Sequence, residues 1–170
     1  TRTTTVTGCL FQGIGGDNGG AALSVTWDAS GVAVQHCRFE NNLNLAISWV
    51  QNPATAVAST VDQDTFINTG SVPGLGGSGP WHAAGVILNV GRNIHIQNCV
   101  FDTTGYAAII LGRAGNFAER NVIRCAMATL NDGAGIYTNC DSSVIKHNIV
   151  LNSVGYWGSA GWRIRLGHGI

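Results

Sequence analysis

The sequence predicts an all-β fold: a solenoid of about six coils of parallel strands, forming one domain over residues 1–170. Three observations predict it. A short line recurs along the chain: β-branched or apolar, polar, small polar or Cys, any residue, then Phe, Ile or Val. Its copies are VTGCLF ending at Phe11, VQHCRF at Phe39, VDQDTF at Phe66, IQNCVF at Phe101, ERNVI at Ile123 and KHNIV at Val150. The spacing, roughly 22 to 35 residues, is that of stacked supersecondary units. A short apolar strand precedes each later copy: SVTW to Trp27, AISW to Trp49, VILN to Asn89, AIIL to Leu111 and GIYT to Thr138.

The third observation is a phase change inside the unit. In NIHIQNCVF, Ile94 and Ile96 alternate inward at the strand period of two, yet Phe101 is an odd step away. A bend at Asn98-Cys99 reconciles them, since small polar residues tolerate the left-handed backbone a bend needs. The same position is Cys9, Cys37, Asp64, Cys99, Asn121 and Asn148, which predicts a ladder of stacked small side chains. Phe11, Phe39, Phe66, Phe101, Ile123 and Val150 then stack one column over as core, with successive coils about 4.8 Å apart. A β-sandwich of short strands would show tight hairpin turns, and the sole Asn-Gly, Asn18-Gly19, sits in a loop-like stretch. The repeat resembles that of right-handed parallel β-helix proteins, the pectate-lyase-like superfamily, along nearly the whole chain.

Composition narrows the function. Nine basic and nine acidic residues leave no net charge and no basic stripe for nucleic acid. No apolar run reaches membrane-spanning length. Gly is abundant (24) and Pro scarce (3), which suits the corners of a coil. The first residues already lie inside a repeat, and RIRLGHGI reads as the start of another strand. These ends predict a piece of a longer helix, or end-to-end self-association, because a solenoid needs capping units. The five cysteines show no zinc spacing, and a Cys9–Cys37 disulfide is disfavoured because in-register parallel side chains seldom offer the required dihedral. They read as buried ladder thiols. No cofactor and no metal is expected.

Three insertions fall at the same place in the repeat, between the Phe strand and the next apolar strand. They are residues 12–22, residues 69–83 and the stretch AMATLNDGAG. They should wall one edge of the coil, where a solenoid gains function. GIGGDNGG lacks a Walker lysine and a following helix pattern, so it reads as a surface loop rather than a nucleotide cradle.

Chemistry concentrates after Glu119. Asp132-Gly133-Ala134-Gly135-Ile136-Tyr137 is followed by Val144-Ile145-Lys146-His147-Asn148-Ile149-Val150, and then by Gly169-Ile170. Over about fifty residues these motifs resemble β-helix glycoside hydrolases of the family 141 type. That resemblance implies that Asp132 is one of two catalytic carboxylates, with its partner just beyond Ile170. It also implies an extracellular or periplasmic protein acting on a polysaccharide or oligosaccharide. Glycoside hydrolysis generally takes a pair of carboxyl groups, so this chain alone should be inactive. Read without the resemblance, Asn-Asp-Gly is a turn in which Asp132 caps the backbone. Tyr137 points outward if Ile136 and Thr138 point inward, and could stack on a sugar. Trp81 and His82 in the long loop, Trp157 and Trp162 flanking GSAG, and His168 in the last strand complete the candidate substrate-binding set.

Two rival functions share the fold. One is a non-catalytic β-helix: a fibre, stalk, adhesin or carbohydrate-binding segment, which low charge and full repeat coverage fit. The other is a polysaccharide lyase or epimerase. Lys146, His147, Arg163 and Arg165 suggest its basic groups, but Lys146 and His147 sit at a bend opposite the expected groove. No Asp cluster on adjacent strands could hold calcium. Ser143 and His147 are too generic to mark a nucleophile.

Overall fold

The computed structural model describes residues 3–15, 20–27, 29, 31–51, 57–72, 83–130, 133–153, 155 and 167–168. They form strands and turns, with no helix long and apolar enough to cross a membrane. The first repeat supplies β1 (Thr4–Thr7), β2 (Leu10–Gln12) and β3 (Ala21–Trp27). The second supplies β4 (Val32–Gln35), β5 (Arg38–Glu40) and β6 (Leu45–Gln51), and the third β7 (Ser59–Asp62), β8 (Thr65–Thr69) and β9 (Val86–Val90). The fourth supplies β10 (Ile94–Gln97), β11 (Val100–Thr104) and β12 (Ile109–Leu111). The fifth holds β13 (Phe117–Glu119), β14 (Val122–Arg124), β15 (Gly133–Ala134) and β16 (Ile136–Thr138). The sixth holds β17 (Val144–Lys146), β18 (Ile149–Leu151) and β19 (Gly167–His168).

The strands sort into three stacked parallel sheets, and the chain visits them in turn. Sheet one runs β1-β4-β7-β10-β13-β17, sheet two β2-β5-β8-β11-β14-β18 and sheet three β3-β6-β9-β12-β16; β15 and β19 pair separately. All these pairings are parallel, each joining equivalent strands of neighbouring repeats.

The register stacks like on like. In sheet one, Val6, Val34, Val61, Ile96, Ala118 and Ile145 form one column. In sheet two, the rings of Phe11, Phe39, Phe66 and Phe101 stack nearly face to face at 4.7, 4.9 and 4.4 Å, and Ile123 and Val150 continue the column. Ile47, Val86, Ile109 and Ile136 line up in sheet three. All are buried except Val6, Phe11, Ile145 and Val150 at the two ends of the stack. Each aromatic pair adds about 0.5–1.5 kcal/mol beyond its burial, so the predicted Phe column is the strongest vertical element of the core.

The predicted bend exists, one residue earlier than the ladder. Left-handed backbone falls on Gly8, His36, Gln63, Asn98, Arg120 and His147, each immediately before a ladder residue. Small side chains in the ladder therefore serve another purpose: Cys37, Asp64, Cys99 and Asn121 are buried, Cys9 at the end is exposed, and the amides hydrogen-bond between repeats. Asn121 Oδ1 accepts the Cys99 N–H at 3.0 Å while its Nδ2 donates to the Ile96 carbonyl at 3.0 Å. Asn148 does the same to the Asn121 N–H and the Ala118 carbonyl. Asn116 and Asn42 repeat the geometry at the other two corners, bridging Ile94 N–H with Gly91 C=O and Ile14 N–H with Phe11 C=O. In each case one side-chain amide satisfies an N–H and the carbonyl three residues before it, on the preceding repeat. That answers the need of buried backbone groups for partners where the ladder of the sheet is interrupted.

Two further corners carry left-handed residues that the sequence does not announce. Between sheets two and three they include Gly13, Asn41, Asn68, Thr103, Cys125 and Asn152. Between sheets three and one they are Gly31, Asn93, Gly115 and Ser142.

Candidate functional site

The three insertions leave from one corner, as expected: each joins a strand of sheet two to the next strand of sheet three. Residues 16–19, 73–82 and 131–132 of these insertions lie outside the described residues. The stems themselves stack. Leu43 N–H donates to Ile14 C=O at 2.9 Å, Gly70 N–H to Asn42 C=O at 2.8 Å, and Gly105 N–H to Thr69 C=O at 2.8 Å. Thr129 Oγ1 donates to the Gly105 and Gly70 carbonyls at 3.1 and 3.3 Å, closing the third stem onto the β11–β12 turn and the second stem.

This stacking explains two glycines. A Cβ on Gly105 would overlap the Gly70 carbonyl, and one on Gly70 (φ 59°) would lie 2.6 Å from Ala83 Cα. Above the corner sits a second apolar cluster, separate from the core: Leu45, Ala83, Ala84, Tyr106, Ala107 and Ile110, with Leu130 and Tyr137 packed against it.

Of the candidate residues, Tyr137 is the one whose side chain is described. It lies in β16 opposite Ile110, on the face away from buried Ile136, and packs against the second apolar cluster. Thr138 is exposed rather than turned into the core. Tyr137 is half-buried, its ring 6.1 Å from that of Tyr106 and tilted by 40°. Asp132, Trp81, His82, Trp157 and Trp162 lie outside the described residues. For His168 the backbone is described: β19 pairs with β15 in parallel, Gly133 opposite Gly167 and Ala134 opposite His168. The segment directly after Asp132 and the segment holding His168 are thus neighbouring strands.

Tyr106 is the residue that sequence reasoning missed. A Cβ on Gly133 would strike its ring at 2.5 Å, so the residue after Asp132 must be small while Tyr106 occupies that space. The signal was available, since Tyr106-Ala107-Ala108-Ile109 and Gly133-Ala134-Gly135-Ile136 hold the same offset from paired Ile109 and Ile136.

Of the basic residues weighed for lyase chemistry, Arg163 and Arg165 lie outside the described residues, and Lys146 and His147 lie at the corner between sheets one and two. Lys146 Nζ lies 3.2 Å from Glu119 Oε1, and Arg120 Nη1 3.1 Å from Glu119 Oε2, at the corner between sheets one and two. Burial pushes the Glu119 carboxyl up, but the hydrogen bond and charge of Lys146, with the charge of Arg120, outweigh it and hold the group below its usual range. Among the described residues no group of three or more His, Cys, Asp or Glu is arranged to hold a metal ion. No known protein family, curated protein or solved structure matches the chain.

Proposed function

We propose that the three sheets wind as a right-handed parallel β-helix. We also propose that the chain is carbohydrate-active, of the glycoside hydrolase kind, engaging a polysaccharide along the corner between sheets two and three. The right-handed sense rests on the near-universal hand of parallel crossover connections. The observation that carries the functional reading is the β15–β19 pairing, with Gly133-Ala134 beside Gly167-His168. It supports the reading because the first motif lies beside the segment that leads to Gly169-Ile170, where the resemblance expects the later motif to begin.

In this reading Asp132 serves as general acid or as one of the carboxylate pair, and its partner belongs to the strand that continues β19. Two carboxyl groups of that kind protonate the leaving oxygen and either attack the sugar or activate water. Tyr137, Trp81, His82, Trp157, Trp162 and His168 would contact the saccharide, in an extracellular or periplasmic setting. The packing of Tyr137 onto Tyr106 favours a second reading, a non-catalytic fibre or stalk segment, because a ring held by its neighbour is less free to stack on sugar.

The test is affinity electrophoresis through gels containing plant or algal polysaccharides, with reducing-end release measured in parallel. Retardation by at least one polysaccharide, relieved by Trp157→Ala or Trp162→Ala, is expected. Reducing ends released by a chain extended past Ile170, and abolished by Asp132→Asn, would select hydrolysis over binding. Unretarded migration in every gel, with no reducing ends, would overturn the carbohydrate-active reading and select the stalk.

A further inference from the structure

A cavity of about 390 Å³ opens at the corner between sheets three and one, on a different edge from the insertions. Its lining comes from three successive repeats: Arg92 from the first, Gly112 and Arg113 from the next, and Asn139, Cys140 and Asp141 from the third. The volume lies in the range of small-molecule clefts, about 300–1,000 Å³.

The charges around this cavity are not used internally. The ion pairs among the described residues are Arg38–Glu40, Arg120–Glu119 and Lys146–Glu119. Arg92, Arg113 and Asp141 are exposed at the cavity and belong to none of them. Two guanidinium groups from adjacent repeats, both lining the cavity, form a pair of planar donor forks. Such forks match the oxygens of a carboxylate, sulfate or phosphate.

The turns that carry the arginines are held rigidly. Asn116 is fully buried; its Oδ1 accepts the Ile94 N–H at 3.1 Å, and its Nδ2 donates to Gly91 C=O at 3.2 Å and to Arg113 C=O at 2.8 Å. One side chain thus fastens the residue before Arg92 and Arg113 itself. Ser143 Oγ adds a contact to the Arg113 carbonyl at 3.4 Å. Cys140 Sγ fixes the third turn through Leu111 C=O at 3.1 Å and Ser143 Oγ at 3.2 Å. Clamped turns reduce the ordering cost of binding.

We propose that this cavity is an anion site, taking a small oxyanion through Arg92 and Arg113, with Asp141 and Asn139 placed for a hydroxyl of the same ligand. Two cations against one carboxylate leave the lining net positive on a chain that is neutral overall. The proposal does not rest on the saccharide reading, because it concerns another edge and monomeric ligands.

Isothermal titration calorimetry with inorganic sulfate, gluconate and glucose tests it, using the wild type, Arg92→Gln, Arg113→Gln and Asp141→Asn. Arg38→Gln is the control, since Arg38 already pairs with Glu40 at 2.8 Å. The expected result is millimolar binding of an anion but not of glucose, weakened at least fivefold by either cavity variant and unchanged in the control. Equal binding of sulfate and gluconate identifies a general oxyanion site. A preference for gluconate that Asp141→Asn removes identifies a hydroxylated carboxylate. Absence of binding by both anions, or full affinity in Arg92→Gln and Arg113→Gln, overturns the proposal. Circular dichroism melts of each variant separate lost binding from lost folding.

Discussion

Replacing Asp64 by Asn should stabilise the protein. Asp64 occupies the ladder position held by Asn121 and Asn148, and its side chain is 1% exposed. Its Oδ1 accepts the Cys37 N–H at 2.6 Å, but Oδ2 is buried with no hydrogen-bond partner. In the four amide clamps the second atom is Nδ2, and it donates to the carbonyl three residues before the bonded N–H. At Asp64 that carbonyl is Val34 C=O, so an ionised carboxylate turns an oxygen toward the place where a donor is wanted. Burial, followed by the charge of Asp62, pushes the carboxyl up to about 6 against the Cys37 N–H and His36, which pull it down.

The magnitude follows from two routes. Leaving a buried polar atom unsatisfied costs about 1–3 kcal/mol, and a new amide hydrogen bond contributes about 1. Displacement of the pKa from 3.8 to about 6 corresponds to an upper figure on the order of 3 kcal/mol, reduced by residual solvation. We expect Asp64→Asn to add about 2 kcal/mol at pH 7.5, a rise in Tm of about 4–8 °C for a chain of this size. The pH dependence gives the sharper test. A carboxyl whose folded pKa is raised holds its proton more tightly when folded. Its contribution is greatest below 3.8 and is lost as pH rises through the window to about 6. The gap between variant and wild type should therefore widen across that window and stay level above it. Urea melts at pH 4, 5, 6 and 7.5 would measure it. A variant less stable than wild type, or a gap independent of pH, would refute the orphaned-oxygen argument.

Other perturbations test the stack and its corners. Phe66→Ala removes a fully buried ring from between Phe39 and Phe101 and should cost about 3–5 kcal/mol in urea unfolding, with Phe66→Leu costing clearly less. Gly105→Ala drives a methyl into the Gly70 carbonyl and should lower stability by about 1–3 kcal/mol, seen as a drop in Tm, whereas exposed Gly13→Asn, at a left-handed position with open space, should cost under 1 kcal/mol. Thiol labelling with iodoacetamide at pH 8 should modify exposed Cys9 in the native protein. It should reach Cys37 and Cys99 only in denaturant, because burial pushes both of those thiols up and shields them. Native labelling of Cys99 as fast as Cys9 would contradict the buried ladder.

The fold was legible because parallel stacking in register makes every repeat answer the same constraint. A ring at Phe39 finds its best neighbour in another ring one strand above, so Phe11, Phe66 and Phe101 share the position and the period can be counted. The left-handed corners were less legible for the opposite reason. His36, Gln63, Thr103, Arg120 and Cys125 have no strong preference for positive φ, and the stacked strands and ladder bonds on either side hold them there. Chemistry-bearing residues obey no shared constraint either. The insertions around Asp132 could be located at one corner, but not arranged, because loops carry no period. Arg92 and Arg113 left no mark in the repeat pattern, being two residues in unremarkable turns that the fold brings to one cavity. In a stacked protein of this kind, departures from a column therefore carry more information than the column itself. Asp64, acidic where the other ladder residues are Cys or Asn, and Tyr106 beside Gly133 each break the local pattern, and such breaks mark where selection for something other than stacking can be sought.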